Sequence, residues 1–220
     1  QPPATNHPPT KAQPDPKGQL KWIEAKPIVE ARPRDFAVSR AGTLAAARVT
    51  PVGADPIVVV SMYAPWTRPH SSTGSGWIAS DVSAHRVVSD LSALIGHQHG
   101  HRILADGNLN VLHGHDEDGS AYWAGRYQTV FAGMEALGLP FVGPQFLDGR
   151  QADPWPSELP GDSLNVPTFH SAKQKPATAT RKLDFVFASR SLAPSVSVRA
   201  LNEPKQWGPS DHCRLQIVIA

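Results

Sequence analysis

Asp106, Asn108 and Asn110 close a short apolar run, Ile103-Leu104-Ala105, at the point where the chain turns from packing residues to polar ones. In an extended segment alternate residues share a face, so these three side chains are expected to point one way from the mouth of a sheet. Farther along, Asp184 interrupts the alternation of Leu183, Phe185 and Phe187, which puts its carboxylate on the opposite face and in need of a partner. Ser210-Asp211-His212-Cys213 forms a polar turn leading into a last strand, and Tyr63 ends an almost wholly apolar one. Carboxylates are hard oxygen ligands for a divalent ion, and a histidine next to a carboxylate is held in one tautomer. Such a set could position water and meet charge on a phosphorus centre. Read singly, each motif is also an ordinary piece of structure. Asn, Asp and Gly are turn residues, and Asp211-His212 alone is a capped turn.

The elements that must hold these groups are short. Thr43–Val49 and Ile57–Tyr63 are predicted strands, joined through Pro51, Gly53, Asp55 and Pro56. Ile57-Val58-Val59-Val60 has the composition of a strand covered on both faces. Ser80 or Asp81 is expected to cap a helix carrying Val82, Val87, Val88, Leu91, Leu94 and Ile95, ending at Gly96. A second helix is expected from Ala121 to Leu137, with Tyr127, Val130, Phe131 and Met134 inward. Leu139–Val142, Val166–His170, Lys182–Ala188, Val196–Leu201 and Cys213–Ile219 are further strand candidates, and 143–163 is a long loop. Strands with two interposed helices imply a layered α/β or α+β protein.

Composition bounds the rest. The 220 residues are 40% hydrophobic and 18% charged, with a net charge of +2, which permits nucleic-acid binding without requiring it. Cys213 stands alone, so the fold cannot depend on an internal disulfide. No run is long and apolar enough to span a membrane, and the start lacks a signal-peptide pattern, so the expected setting is cytoplasmic. Residues 1–20 are rich in proline and read as a flexible tail before a single domain over 21–220.

Together the motifs resemble those of the endonuclease/exonuclease/phosphatase superfamily, which includes pancreatic-type DNases, apurinic endonucleases and inositol phosphatases. The resemblance rests on Asn108-Leu109-Asn110, Leu183-Asp184-Phe185, Ser210-Asp211-His212 and, for the apurinic-endonuclease branch, Tyr63-Ala64-Pro65, and it runs from Thr43 to Ala220. It implies a four-layer α/β sandwich, two packed sheets flanked by helices, in which the family's first strands find no counterpart. It also implies Mg²⁺- or Mn²⁺-dependent hydrolysis of a phosphodiester in nucleic acid or a small phosphoester. By the same resemblance His212 stabilises the phosphoryl transition state and Asp184 orients it. Asn110 hydrogen-bonds the phosphate or the attacking water, Tyr63 contacts the phosphate, and Asp211 lies near the metal. Two departures stand out. Where the family has Gly-Asp-x-Asn, this chain has Gly107-Asn108-Leu109-Asn110, so an amide replaces the general base. Asp106, two residues earlier, is the carboxylate available to serve the metal or replace that base. The family's metal-binding Glu has no match upstream of Thr43. Trp207 and Arg181 are expected at the rim as substrate contacts, with Arg126 and Arg150 as further phosphate candidates. A catalytically degenerate member that binds without cutting is the alternative. The histidines at 97, 99, 101, 113 and 115 lack zinc-site spacing.

Overall fold

A computed structural model describes residues 18–32, 35–67, 80–95, 101–116 and 118–220. Residues 1–17, the polar loop over 69–76 together with Arg68, the helix stop at Gly96, and His97 and His99 lie outside the described residues. Among the described residues ten strands and two α-helices are formed: β1 (Gly18–Ile23), β2 (Ala25–Pro27), β3 (Phe36–Val38), β4 (Leu44–Pro51), β5 (Ile57–Tyr63), α1 (Ser80–Ile95), β6 (Ile103–Asn108), α2 (Ala121–Ala136), β7 (Phe141–Gly143), β8 (Asp184–Ala188), β9 (Val196–Leu201) and β10 (Arg214–Ile219).

Six strands make one sheet in the order β1-β4-β5-β6-β8-β7, and β9 with β10 makes a second. β4 and β5 form the expected antiparallel pair, with Val49 opposite Ile57 and Leu44 opposite Met62. β5 and β6 run parallel, separated in the chain by α1. Strand alternation then sorts the core. Val60, Met62, Ile103, Ala105, Phe185 and Phe187 pack under Val87 and Leu91 of α1 and Val130, Phe131 and Met134 of α2. Ile57, Leu104, Val186 and Ala188, on the other face, pack with Val198 and the inner side of β10. The chain is thus an α/β sandwich, with helices on the outer face of the larger sheet. The outer face of the smaller sheet exposes Arg199, Arg214, Gln216 and Val218, a polar surface that one-sided antiparallel sheets turn to water. Among the described residues no helix covers it, and no helix is long and apolar enough to cross a membrane.

Three local outcomes depart from the sequence pattern. Gly18–Leu20, placed in the tail by composition, belongs to β1, which pairs with β4 from Gly18↔Pro51 to Ile23↔Ala46. Its side chains give no periodic signal because most are exposed, Trp22 at 65%. On α1, Val82 faces solvent while Asp81 and Asp90 are buried. Asp81 accepts hydrogen bonds from Nε (2.8 Å) and Nη2 (2.5 Å) of Arg126, and Asp90 accepts from the backbone N–H (2.9 Å) and Oγ (2.8 Å) of Ser39. These carboxylates tie α1 to α2 and to the turn after β3. Arg126 is accordingly engaged by Asp81, its guanidinium also lying 5.1 Å from the Trp123 ring centroid. Finally, Val166–His170 forms no strand but two isolated bridges, Phe169↔Arg181 and Phe169↔His212.

Gly107 of β6 lies tight against Met62 of β5. It has φ 148°, and a β-carbon there would stand 1.9 Å from the carbonyl oxygen of Met62. Only glycine allows both that backbone conformation and that approach. Gly107→Ala is expected to destabilise the protein by about 3 kcal/mol or more, as steric insertions between packed strands do, read as a lowered urea midpoint.

Candidate active site at the strand ends

Three strands finish or start at one level. Tyr63, the last residue of β5, is opposite Asn108, the last of β6, and Asn108 is opposite Asp184, the first of β8. Asp106 lies one pleat back, opposite Ser61 and Val186. Asp106, Asn108 and Asp184 therefore share the sheet face that Leu104 and Val186 occupy deeper in, and the sheet's pleat alone delivers three oxygen-bearing side chains to one edge.

Asn110 leaves this row. Its φ of 51° is not extended, so strand alternation does not set the direction of its side chain. It is 4% exposed; its backbone N–H donates to Asn108 Oδ1 at 2.8 Å, and its side-chain Nδ2 donates to the Ala64 carbonyl at 2.8 Å. Asn110 is therefore the clasp between the ends of β5 and β6. Asn108 closes a local turn with one oxygen, a common use of asparagine.

His212 arrives from the other sheet. Its Nδ1 is 2.7 Å from Asp184 Oδ2, and its ring lies 5.0 Å from that of Phe169. The clamp behind this pair is Thr168, which the sequence pattern did not single out. It is fully buried, its Oγ1 accepts from the N–H groups of Leu183 (3.0 Å) and Asp184 (3.1 Å), and its carbonyl accepts from Cys213 N–H at 2.8 Å. One residue thus holds the segments carrying Asp184 and His212 at fixed separation. No spacing signal marks it, since its role exists only once distant strands meet. The hydrogen bond to Asp184, and after it the charges of Asp184 and Asp211, raise the His212 pKa above its ordinary value against the opposing effect of burial. Burial, reinforced by the Asp184 charge, raises the Asp106 pKa. Asp211 is exposed at the turn before His212, and Tyr63 is 46% exposed at its strand end.

Arg181 lies beside this centre. Its carbonyl accepts from Thr168 (2.8 Å) and Phe169 (3.0 Å), and it borders a cleft of about 270 Å³ with His115, Asp118, Glu158 and Thr180. Trp207 is not at the rim. It is 1% exposed, packs with Val166, Ala179, Ala200 and Cys213, and lies 5.3 Å from the His170 ring, so it supports the site from below and contacts no substrate. Arg150 is drawn under the neighbouring loop, donating from Nη2 to the Pro176 carbonyl at 2.9 Å. His113 is wedged against Phe131 and Phe141, and burial pushes it down to about 4. Among the described residues no three of His, Cys, Asp and Glu converge to cage an ion. The strand-end carboxylates still suit a hard cation that keeps several waters, because Mg²⁺ is commonly held by only one or two protein carboxylates.

Behind the site, Lys182 is 2% exposed, with Nζ 4.9 Å from the Phe141 ring centroid and 3.5 Å from the Pro144 carbonyl. Burial pushes its pKa down from 10.5 to about 7, and its charge in turn disfavours protonation of His113 and His115. The unfolded chain therefore binds the extra proton between pH 7 and 10.5, and this group's contribution to stability rises with pH across that window. Lys182→Met is expected to flatten the rise, seen by comparing urea midpoints at about pH 7 and about pH 10. His212 has the opposite sign: its contribution is complete below the unfolded pKa and is lost as pH rises through the folded value. Asp184→Asn is expected to return the His212 titration, followed by NMR, toward 6.5.

No family model matches the sequence, and no curated protein matches it. Solved structures do. The AP endonuclease LMAP from Leishmania major is 17% identical with a TM-score of 0.50, the alignment covering 81% of this chain and 54% of that one. An AP endonuclease from Archaeoglobus fulgidus is 18% identical with a TM-score of 0.50, covering 79% of this chain and 64% of that one. The chain spans between half and two thirds of the length of these structures. The chain thus shares the α/β-sandwich fold of these AP endonuclease structures.

Proposed function

We propose that the chain is a nuclease-like hydrolase of phosphodiester bonds, dependent on Mg²⁺ or Mn²⁺, with a weakened general base. The observation that carries this reading is the 2.7 Å pair of His212 Nδ1 and Asp184 Oδ2 at the edge where Asp106 and Asn108 emerge. With Nδ1–H committed to Asp184, Nε2 is the nitrogen left to face a phosphoryl oxygen. The raised pKa keeps the ring protonated over a wider pH range, so it supplies a positive charge to the developing oxyanion. Asp184 orients the ring and balances its charge. Tyr63, half exposed on the adjoining strand, contacts the phosphate. Asp106, with Asp211 at the turn, would hold the divalent ion, which supplies charge neutralisation at the phosphate when bound. Asn108 cannot accept a proton, and its Oδ1 is engaged by Asn110, so it positions water at most.

That engagement favours a second reading, a degenerate protein that binds nucleic acid or a phosphoester without cutting it. Plasmid cleavage in Mg²⁺ and in Mn²⁺ separates the two. We expect slow, metal-dependent cutting by the unmodified chain, a loss of about 10²-fold or more in His212→Ala, and a gain of about 10²–10⁴-fold in Asn108→Asp, the range typical of a positioned base. An inert chain revived by Asn108→Asp would support the binding reading. If both are inert, the hydrolase proposal is wrong for this chain.

A further inference from the structure

Which phosphodiester approaches His212 is written in the loop that leaves it at His170. Residues 170–180 contain Lys173 and Lys175 and no carboxylate, whereas 144–166 contain Asp148, Asp153, Glu158 and Asp162 against one cation, Arg150. The basic loop is pinned at both ends to the site. Phe169, before it, and Arg181, after it, bridge to each other, and Phe169 also bridges to His212. His170 N–H donates to the Asp211 carbonyl at 3.0 Å.

The loop is also ordered from within. Gln174 Oε1 accepts from the Ser171 N–H at 3.1 Å, and Gln174 Nε2 donates to the Thr178 carbonyl at 3.3 Å. Lys175 N–H donates to Thr178 Oγ1 at 3.3 Å, Ala179 is buried beside Trp207, and Arg150 braces the Pro176 carbonyl from beneath. Lys173 and Lys175 are exposed on this frame, and among the described residues no carboxylate pairs with either. Fixed cations with no acidic partner, a few residues from a phosphodiester site, fit a chain of phosphates better than a single small ester.

We propose that the loop over 170–180 is a cationic lip that holds the phosphate backbone of a nucleic-acid strand against the His212 site, with Lys173 and Lys175 on phosphates flanking the reacting one. This rests on the phosphodiester reading of that site.

The test is a salt titration of binding to a labelled single-stranded oligodeoxynucleotide of about 20 nucleotides, between about 50 and about 200 mM salt. Each phosphate neutralised on a single strand adds about 0.7 to the log–log slope, so the Lys173→Ala/Lys175→Ala double variant should lose about 1.4 of it. The Lys173→Arg/Lys175→Arg variant should keep the slope, and so should Lys21→Ala/Arg48→Ala, which removes equal charge from β1 and β4. An unchanged slope in the lysine-to-alanine variant overturns the proposal. So does binding of phosphatidylserine vesicles that these substitutions abolish while oligonucleotide affinity stays the same. Mg²⁺-dependent hydrolysis of bis(4-nitrophenyl) phosphate by the unmodified chain, run in parallel, keeps the two claims apart. Hydrolysis without salt-dependent oligonucleotide binding sinks the lip and leaves the hydrolase reading standing. Binding lost with the lysines, but without hydrolysis of either substrate, leaves the lip standing and sinks the hydrolase reading.

Discussion

The hydrogen bond between Asp184 and His212 is the constraint around which the rest of the site is arranged. Asp184 opens β8 of the larger sheet and His212 lies two residues before β10 of the smaller one, 28 positions away, and a bond of 2.7 Å tolerates little sliding of one sheet over the other. Thr168 removes that freedom by bonding the backbone on both sides of the pair. Cys213, whose N–H bonds the Thr168 carbonyl, packs in one buried cluster with Val166 and Trp207. A buried hydroxyl and a buried indole, neither aimed at a substrate, thus set the geometry of the two groups that would be.

Charge is distributed around the site in a way that simple packing would not favour. Asp106 is held partly out of water beside Asp184, so two carboxylates crowd one edge, an arrangement that a bound cation or a shared proton relieves. Lys182, two residues before Asp184, carries its ammonium into an aromatic pocket where ring faces, not a carboxylate, meet it. Burial of this kind costs stability near neutral pH, and the cost sits next to the candidate chemistry, where such costs concentrate.

Asn108 and Asn110 show how one local geometry can serve structure and chemistry together. The turn that links them closes the gap between β5 and β6 and keeps Asn108 level with Tyr63 and Asp184. Gly107 makes the approach possible by having no side chain to meet Met62. The carboxylate that could take a proton is displaced one pleat inward, at Asp106, where burial raises its pKa.

Much of this was legible from the amino-acid sequence. Period-two alternation marked β8, near-continuous apolar runs marked β5 and the start of β6, and a 3.6-residue period marked α1 and α2, because residues that must be buried recur at the spacing of the element that buries them. The same alternation showed that Asp184 faces away from Phe185 and Phe187, and the polar tips of the strands identified Asp106, Asn108 and His212 as the groups to watch. What the tertiary structure decided was everything that depends on which strands are neighbours. The row of Tyr63, Asn108 and Asp184, the clamp at Thr168, the burial of Trp207 and the capture of Arg126 by Asp81 involve residues far apart in the chain. β1 escaped the sequence pattern for a related reason: an edge strand with exposed side chains buries no periodic face, and only its hydrogen bonds to β4 define it.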